Sequence, residues 1–138
     1  MPPENRIVDA TERLYRRIPA SWYFQEGIHY AAFLPHERSD VDGLSMYRAK
    51  LTSKLTAARP RSPRPGKQYY LATLLCSDLN DLGLTVIADP LIDSPGHCLV
   101  PRLCSKNRAE DKVAITGIAK TIVDRLIVAV DGPFGPFA

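Results

Sequence analysis

The sequence predicts an α+β fold: one compact domain, 1–138, in which a mixed or antiparallel sheet packs with two or three helices. Three observations predict it. A chain of 138 residues suits one hydrophobic core. Short β-branched and aromatic runs, such as "YYLATLL" at 69–75 and "LTVIADP" at 84–90, end quickly in turn formers. The best helical periodicity is confined to 108–125, and no regular strand–helix–strand alternation appears.

The elements follow in order. The opening "ENRIVDATERLYRRIP" places Ile7, Ala10 and Leu14 at helical spacing, so a short helix should run into an extended 14–18 before Pro19. The run "HYAAFLP" reads as a strand closed by Pro35, and 36–43 as a polar loop. Residues 47–59 wind as a helix, with Tyr47, Leu51, Leu55 and Ala58 within about 80° of arc. Arg48 and Arg59 flank one border of that stripe, and Lys50 and Lys54 the other. Pro60 stops it. After the strand at 69–75, Ser77 and Gly83 bracket one or two helical turns. The turn "DSPG" opens a strand at 97–100. In the helix at 108–125, Ile115, Ile118, Ala119, Ile122 and Leu126 share a face. Asn107 or Ser105 caps it, with Glu110 and Asp111 near its positive end. The β-branched "LIVAV" at 126–130 then favours a strand.

Charge is distributed unevenly. Residues 43–77 hold Arg48, Lys50, Lys54, Arg59, Arg61, Arg64 and Lys67 and no acid, which leaves 11 bases against 15 acids elsewhere. A local anion-binding surface is the expectation. Within it, 57–67 is a basic loop stiffened by Pro60, Pro63 and Pro65 and followed by Tyr69 and Tyr70. Arg59, Arg61, Arg64 and Lys67 could track a phosphate backbone while the two tyrosines stack on bases. Proline would lower the ordering entropy lost on binding. A solvated insertion has the same composition. The tail 131–138 repeats Gly-Pro-Phe, so Phe134 and Phe137 either pack on this domain or dock a partner.

Few residues suggest catalysis. His97 follows a turn and opens a strand, where an imidazole can face a cleft or tie the turn to a carbonyl. Its neighbour Cys98 should point to the opposite face, and Cys76, Cys98 and Cys104 read as core thiols. No metal is expected, because His97, Cys98 and Cys104 lack closed zinc-site spacing and would need His29 or His36. No glycine-rich nucleotide motif is present, so no cofactor is expected. Asp40 and Asp42 read as solvated loop acids. Lys120, Asp124 and Arg125 interrupt the most apolar stretch, so no membrane partner is expected. The charged opening and odd cysteine count favour a cytoplasmic location.

Four pieces, "LYRRIP", "AAF", "LSMYR" and "DSPGHCLV", carry a resemblance spanning about residues 14–125. Together they resemble a loosely defined family of small bacterial proteins with no settled activity. Its motifs are Arg-Ile-Pro, small-small-Phe, Ser-x-x-Arg and Pro-x-His. The resemblance points to Arg17, Phe33, Ser45, Arg48 and His97. His29 and Tyr30 stand where that family tends to have serines, and 57–67 stands out as an insertion.

Three readings follow, in this order. The first is a non-catalytic binding or accessory subunit of a bacterial multi-component assembly, holding a protein partner or anionic ligand by the basic loop. The second is a nucleic-acid-binding protein. The third is an enzyme whose cleft collects Arg17, Ser45, Arg48 and His97 around an anionic substrate.

Overall fold

Alternation along the central strands creates a sheet with two different faces. In this computed structural model, which describes residues 6–25, 27–62 and 64–137, six strands form an antiparallel sheet. They are β1 (Arg13–Pro19), β4 (Leu44–Arg48), β5 (Tyr69–Leu75), β6 (Ile87–Ala88), β7 (His97–Val100) and β8 (Ile127–Phe134), in the order β6-β7-β4-β1-β5-β8. A separate hairpin pairs β2 (Tyr23–Phe24) with β3 (Gly27–Ile28). The α+β architecture is therefore present, and the sheet is antiparallel throughout.

Leu14, Ile18, Leu44, Met46, Leu74, Cys98 and Val100 fill the first face and are fully buried. Its cover is α4 (Lys112–Thr121), the 3₁₀ turn Tyr30–Phe33 and α2 (Cys76–Asp81), through Ile115, Ala119, Phe33 and Leu79. The second face carries Tyr15, Arg17, Ser45, Tyr47, Leu71 and His97. Register fixes this, since Tyr15 opposes Tyr47, Tyr47 opposes His97, and Arg17 opposes Leu71. On that side α1 (Lys54–Ala58), its exit loop and the C-terminal tail pack around a small cluster of Tyr47, Ala57, Ala58 and Leu71, with the turn before β7 alongside.

Four expectations need correction. Within the described part of the opening, Ile7 bridges Ile87 and Val8 N–H donates to Val86 (2.8 Å); residues 4 and 5 lie outside it. Edge pairing buries Val8, which a lone amphipathic turn would not. The run 29–35 is a 3₁₀ turn and not a strand, because His29 caps it and Arg16 Nε takes the Ala32 carbonyl (3.0 Å). The helix expected over 47–59 is only α1, since Tyr47 and Arg48 complete β4 and Ser53 supplies the cap. The helix at 108–125 divides at Asp111 into α3 (Ser105–Glu110) and α4, capped by Cys104 and Asp111. It ends in a single π turn, Ile122–Leu126, before β8.

Ser77 lies inside α2 rather than at its cap, and the run 84–90 pairs with β7 only at β6, whereas two other signals map directly. Strand β5 spans 69–75. Gly83 has φ +80° and ends α2 with Gly83 N–H on Asn80 O (2.8 Å) and Leu84 N–H on Leu79 O (3.0 Å). No described helix is long and apolar enough to cross a membrane.

Candidate functional site

The second face contains a groove of about 270 Å³ lined by Tyr47, Thr56, Arg59, Pro60, Arg61, Asp93 and Ser94. One wall is α1 with its exit loop. The other is the turn leading into β7, where His97 N–H donates to Ser94 O (3.1 Å). That turn is seated firmly, because Gly96 lies against Thr52 and Leu51, and a Cβ there would overlap Thr52 Oγ1. The volume accommodates one side chain or a small anion, below the usual range for drug-sized ligands.

Arg17 pins the first wall. Its Nη1 donates to Ala57 O (3.3 Å), Arg59 O (3.2 Å) and Tyr47 Oη (3.3 Å), so a cation from β1 satisfies the last carbonyls of α1. The loop beyond is extended at Arg59 (φ −81°, ψ 117°). It then turns at 64–67, where Lys67 N–H donates to Arg64 O (3.2 Å) and Gly66 has φ +76°. Pro65 and Gly66 occupy the positions that a type II turn favours for those residues. Pro63 lies outside the described residues.

The seven bases of 43–77 meet different fates. Arg48 makes two hydrogen bonds of 2.8 Å to Glu12, and Lys50 Nζ lies 3.4 Å from the same carboxylate. Lys54 pairs with Asp131 (3.1 Å) and Arg61 with Asp93 (3.5 Å). Among the described residues, Arg59, Arg64 and Lys67 have no ion-pair partner. The Arg59 guanidinium sits 5.4 Å over the Phe137 ring instead.

Of the proposed enzyme constellation, Arg17, Ser45 and His97 share the second face and Arg48 does not. Arg17 and His97 both meet Tyr47, with Arg17 Cζ 5.8 Å and the imidazole 5.6 Å from its ring centre. Arg48 departs from them: it shares the first face with Met46, and Glu12 holds it there. Ser45 is half-buried on the second face. Its backbone is engaged at both ends, N–H to Asp40 Oδ1 (3.2 Å) and carbonyl from Arg16 (2.9 Å). His97 is buried, and Nδ1 lies 3.1 Å from both Asp89 O and Asp89 Oδ2, the turn-tying arrangement.

Neither Tyr69 nor Tyr70 offers an open ring for a base. Tyr69 is buried on the second face beside Phe137, and Tyr70 stacks on Tyr23 at 4.1 Å. Their alternation on β5 sends one ring to each face, so a shared stacking platform is impossible. Phe134 and Phe137, the candidate docking aromatics, pack against the domain's own cluster of Tyr47, Ala57, Ala58 and Leu71. The remaining residue of the tail, Ala138, lies outside the described structure.

Asp40, expected to be solvated, is instead buried, accepting from His36 N–H (2.7 Å) and lying 3.8 Å from Arg16. Burial lowers the Arg16 pKa against the opposing pull of Asp40. Hydrogen bonds from Arg48 lower that of Glu12, and Glu12 in turn raises that of Arg48. Burial pushes the Cys76 thiol up to about 11 and raises that of Cys98, leaving both protonated and unreactive near neutrality. Among the described residues, no three histidine, cysteine or acidic side chains converge as metal ligands.

Sequence reading missed the groove's far wall. Asp93 and Ser94 were visible as half of "DSPG", but as turn residues only. The signal that Thr56 lines a groove was absent, since its position depends on where α1 lands.

Fold and site together define an α+β domain with a small basic groove on one sheet face. No family model, curated protein or solved structure matches the chain.

Proposed function

We propose that this chain is a non-catalytic binding component that holds an acidic segment of a partner protein against its basic loop, as an accessory subunit of a larger assembly does. One observation carries the reading. Four of the seven bases in the acid-free segment are neutralised internally, while Arg59, Arg64 and Lys67 have no carboxylate partner among the described residues. These cations stand on a loop anchored by Arg17, so little ordering remains to be done on binding. Exposed Leu51, Leu55 and Ile92 near the two walls add apolar surface that a peptide can cover and a phosphate backbone cannot. The burial of Tyr69 and the stacking of Tyr70 on Tyr23 favour protein over nucleic acid.

Fluorescence anisotropy with a polyglutamate peptide and with single-stranded DNA tests this. The expected result is peptide binding that weakens with salt and is lost when Arg59, Arg61, Arg64 and Lys67 are all changed to Gln. Tight DNA binding whose log-affinity against log-salt slope flattens by several units in that variant would favour a nucleic-acid role. Binding to neither probe would sink both.

A further inference from the structure

We infer that Asp93 is an internal stand-in for the ligand's acidic group, and that the groove's occupant is a peptide carrying a carboxylate beside an apolar residue. This rests on the binding role proposed above and specifies its ligand.

The Arg61–Asp93 pair spans the groove from the basic loop to the opposite wall, at 3.5 Å, with the two side chains 58% and 61% exposed. An exposed pair of that kind is weak and exchangeable. Ser94, the next residue along the wall, is 6% exposed, and its Oγ is buried without a hydrogen-bond partner among the described residues. A groove-lining hydroxyl left in that condition is an unusual native feature, and an incoming acceptor would relieve it. A peptide carboxylate entering between the walls can accept from Arg61, in place of Asp93, and from the Ser94 hydroxyl.

Exposed apolar side chains neighbour two of the lining residues along the chain. Leu55 precedes Thr56 on α1 and is 61% exposed, and Ile92 precedes Asp93 on the other wall and is fully exposed. An acid alone would leave these two side chains uncovered, whereas an acid with an apolar neighbour covers them. The exchange requires the Arg61 and Asp93 side chains to move apart and uncover the Ser94 hydroxyl. The backbone of the far wall is held by the Leu91–Ser94 pairing and by Gly96 against Thr52.

The test measures affinities for two fluorescent peptides, one alternating glutamate and leucine and the other glutamate and serine. The Glu-Leu peptide should bind more tightly. Asp93→Asn should tighten it about two- to fivefold, the range set by loss of one exposed competing pair. Arg61→Gln and Ser94→Ala should each weaken it. Asp124→Asn changes net charge equally from the π turn, whose Ile122 packs into the first-face core, and should have little effect. If Arg61→Gln weakens binding but Asp93→Asn does not strengthen it, the stand-in role is wrong while the groove remains a binding site. Equal tightening by Asp124→Asn would reduce the Asp93 effect to net charge and also overturn it. If no variant binds either peptide, the underlying binding role fails too.

Discussion

The two faces of the central sheet are built from the same strands by opposite means. The first is closed by apolar packing under α2, α4 and the Tyr30–Phe33 turn, with Arg16 held near Asp40 and Arg48 on Glu12. The second is covered by a five-residue helix stapled through Arg17, by the turn before β7 and by a tail, and it leaves a groove lined by Arg59, Arg61 and Asp93. A closed face contributes mostly stability. An incompletely covered face with fixed walls keeps polar groups available for a ligand. Substitutions on the first face should therefore move unfolding, and those at the groove rim should move binding.

Phe33→Ala should give the largest effect, a loss of about 3–5 kcal/mol in denaturant unfolding, because a fully buried ring is removed from the first-face core. A loss below about 1 kcal/mol would mean that this face is not the principal core.

Glu12→Gln should cost about 1.5–3 kcal/mol at neutral pH by breaking charged hydrogen bonds to Arg48. The sign with pH is fixed by the direction of the Glu12 shift. Its folded pKa lies below the unfolded value, so the stabilisation is complete above the unfolded value of about 4.3 and disappears as pH falls through the folded one. Urea midpoints measured between neutral pH and acid should fall less steeply for the variant. Parallel curves would show that the pair does not form.

Arg17→Gln should destabilise by about 1–3 kcal/mol, since the carbonyls of Ala57 and Arg59 lose their donor. Amide exchange should accelerate in α1 more than in α4, a contrast that would vanish if Arg17 served only as a free cation. The smallest effect belongs to Arg64→Gln, within about 0.5 kcal/mol in unfolding, while salt-dependent binding of the polyglutamate probe weakens. Unchanged binding would remove Arg64 from the interaction surface.

The sheet's two edges differ as well. Strand β6 is two residues long, whereas β8 runs eight and carries β-branched Val128 and Val130 at the surface. Two register shifts against β5 and Pro133 interrupt β8, which limits straight pairing with another strand.

Much of the fold was legible. The apolar run at 69–75 became β5, the spacing of Ile115, Ala119 and Ile122 became the buried stripe of α4 and its π turn, and Gly83 ended α2. Less could be read where local preference competed with distant pairing. Tyr47 and Arg48 fit a helical wheel, yet hydrogen bonding to β1 and β7 placed them in β4. The candidate site was the least legible part. Of the residues picked out for it, Arg59 and Arg61 line the groove, Arg17 supports it from beneath, and Arg48 lies on the opposite face.

The sequence by itself determined the α+β class, the helical stripe around Ile115 and the concentration of bases in an acid-free segment. Those properties depend on neighbours a few residues apart, through backbone periodicity, capping and composition. Only the tertiary structure decided which bases keep their charge available. Glu12 comes from 36 residues away to hold Arg48, and Asp93 crosses from a separate turn to meet Arg61. Electrostatic attraction depends on distance through space and on burial, and neither is set until the chain has folded.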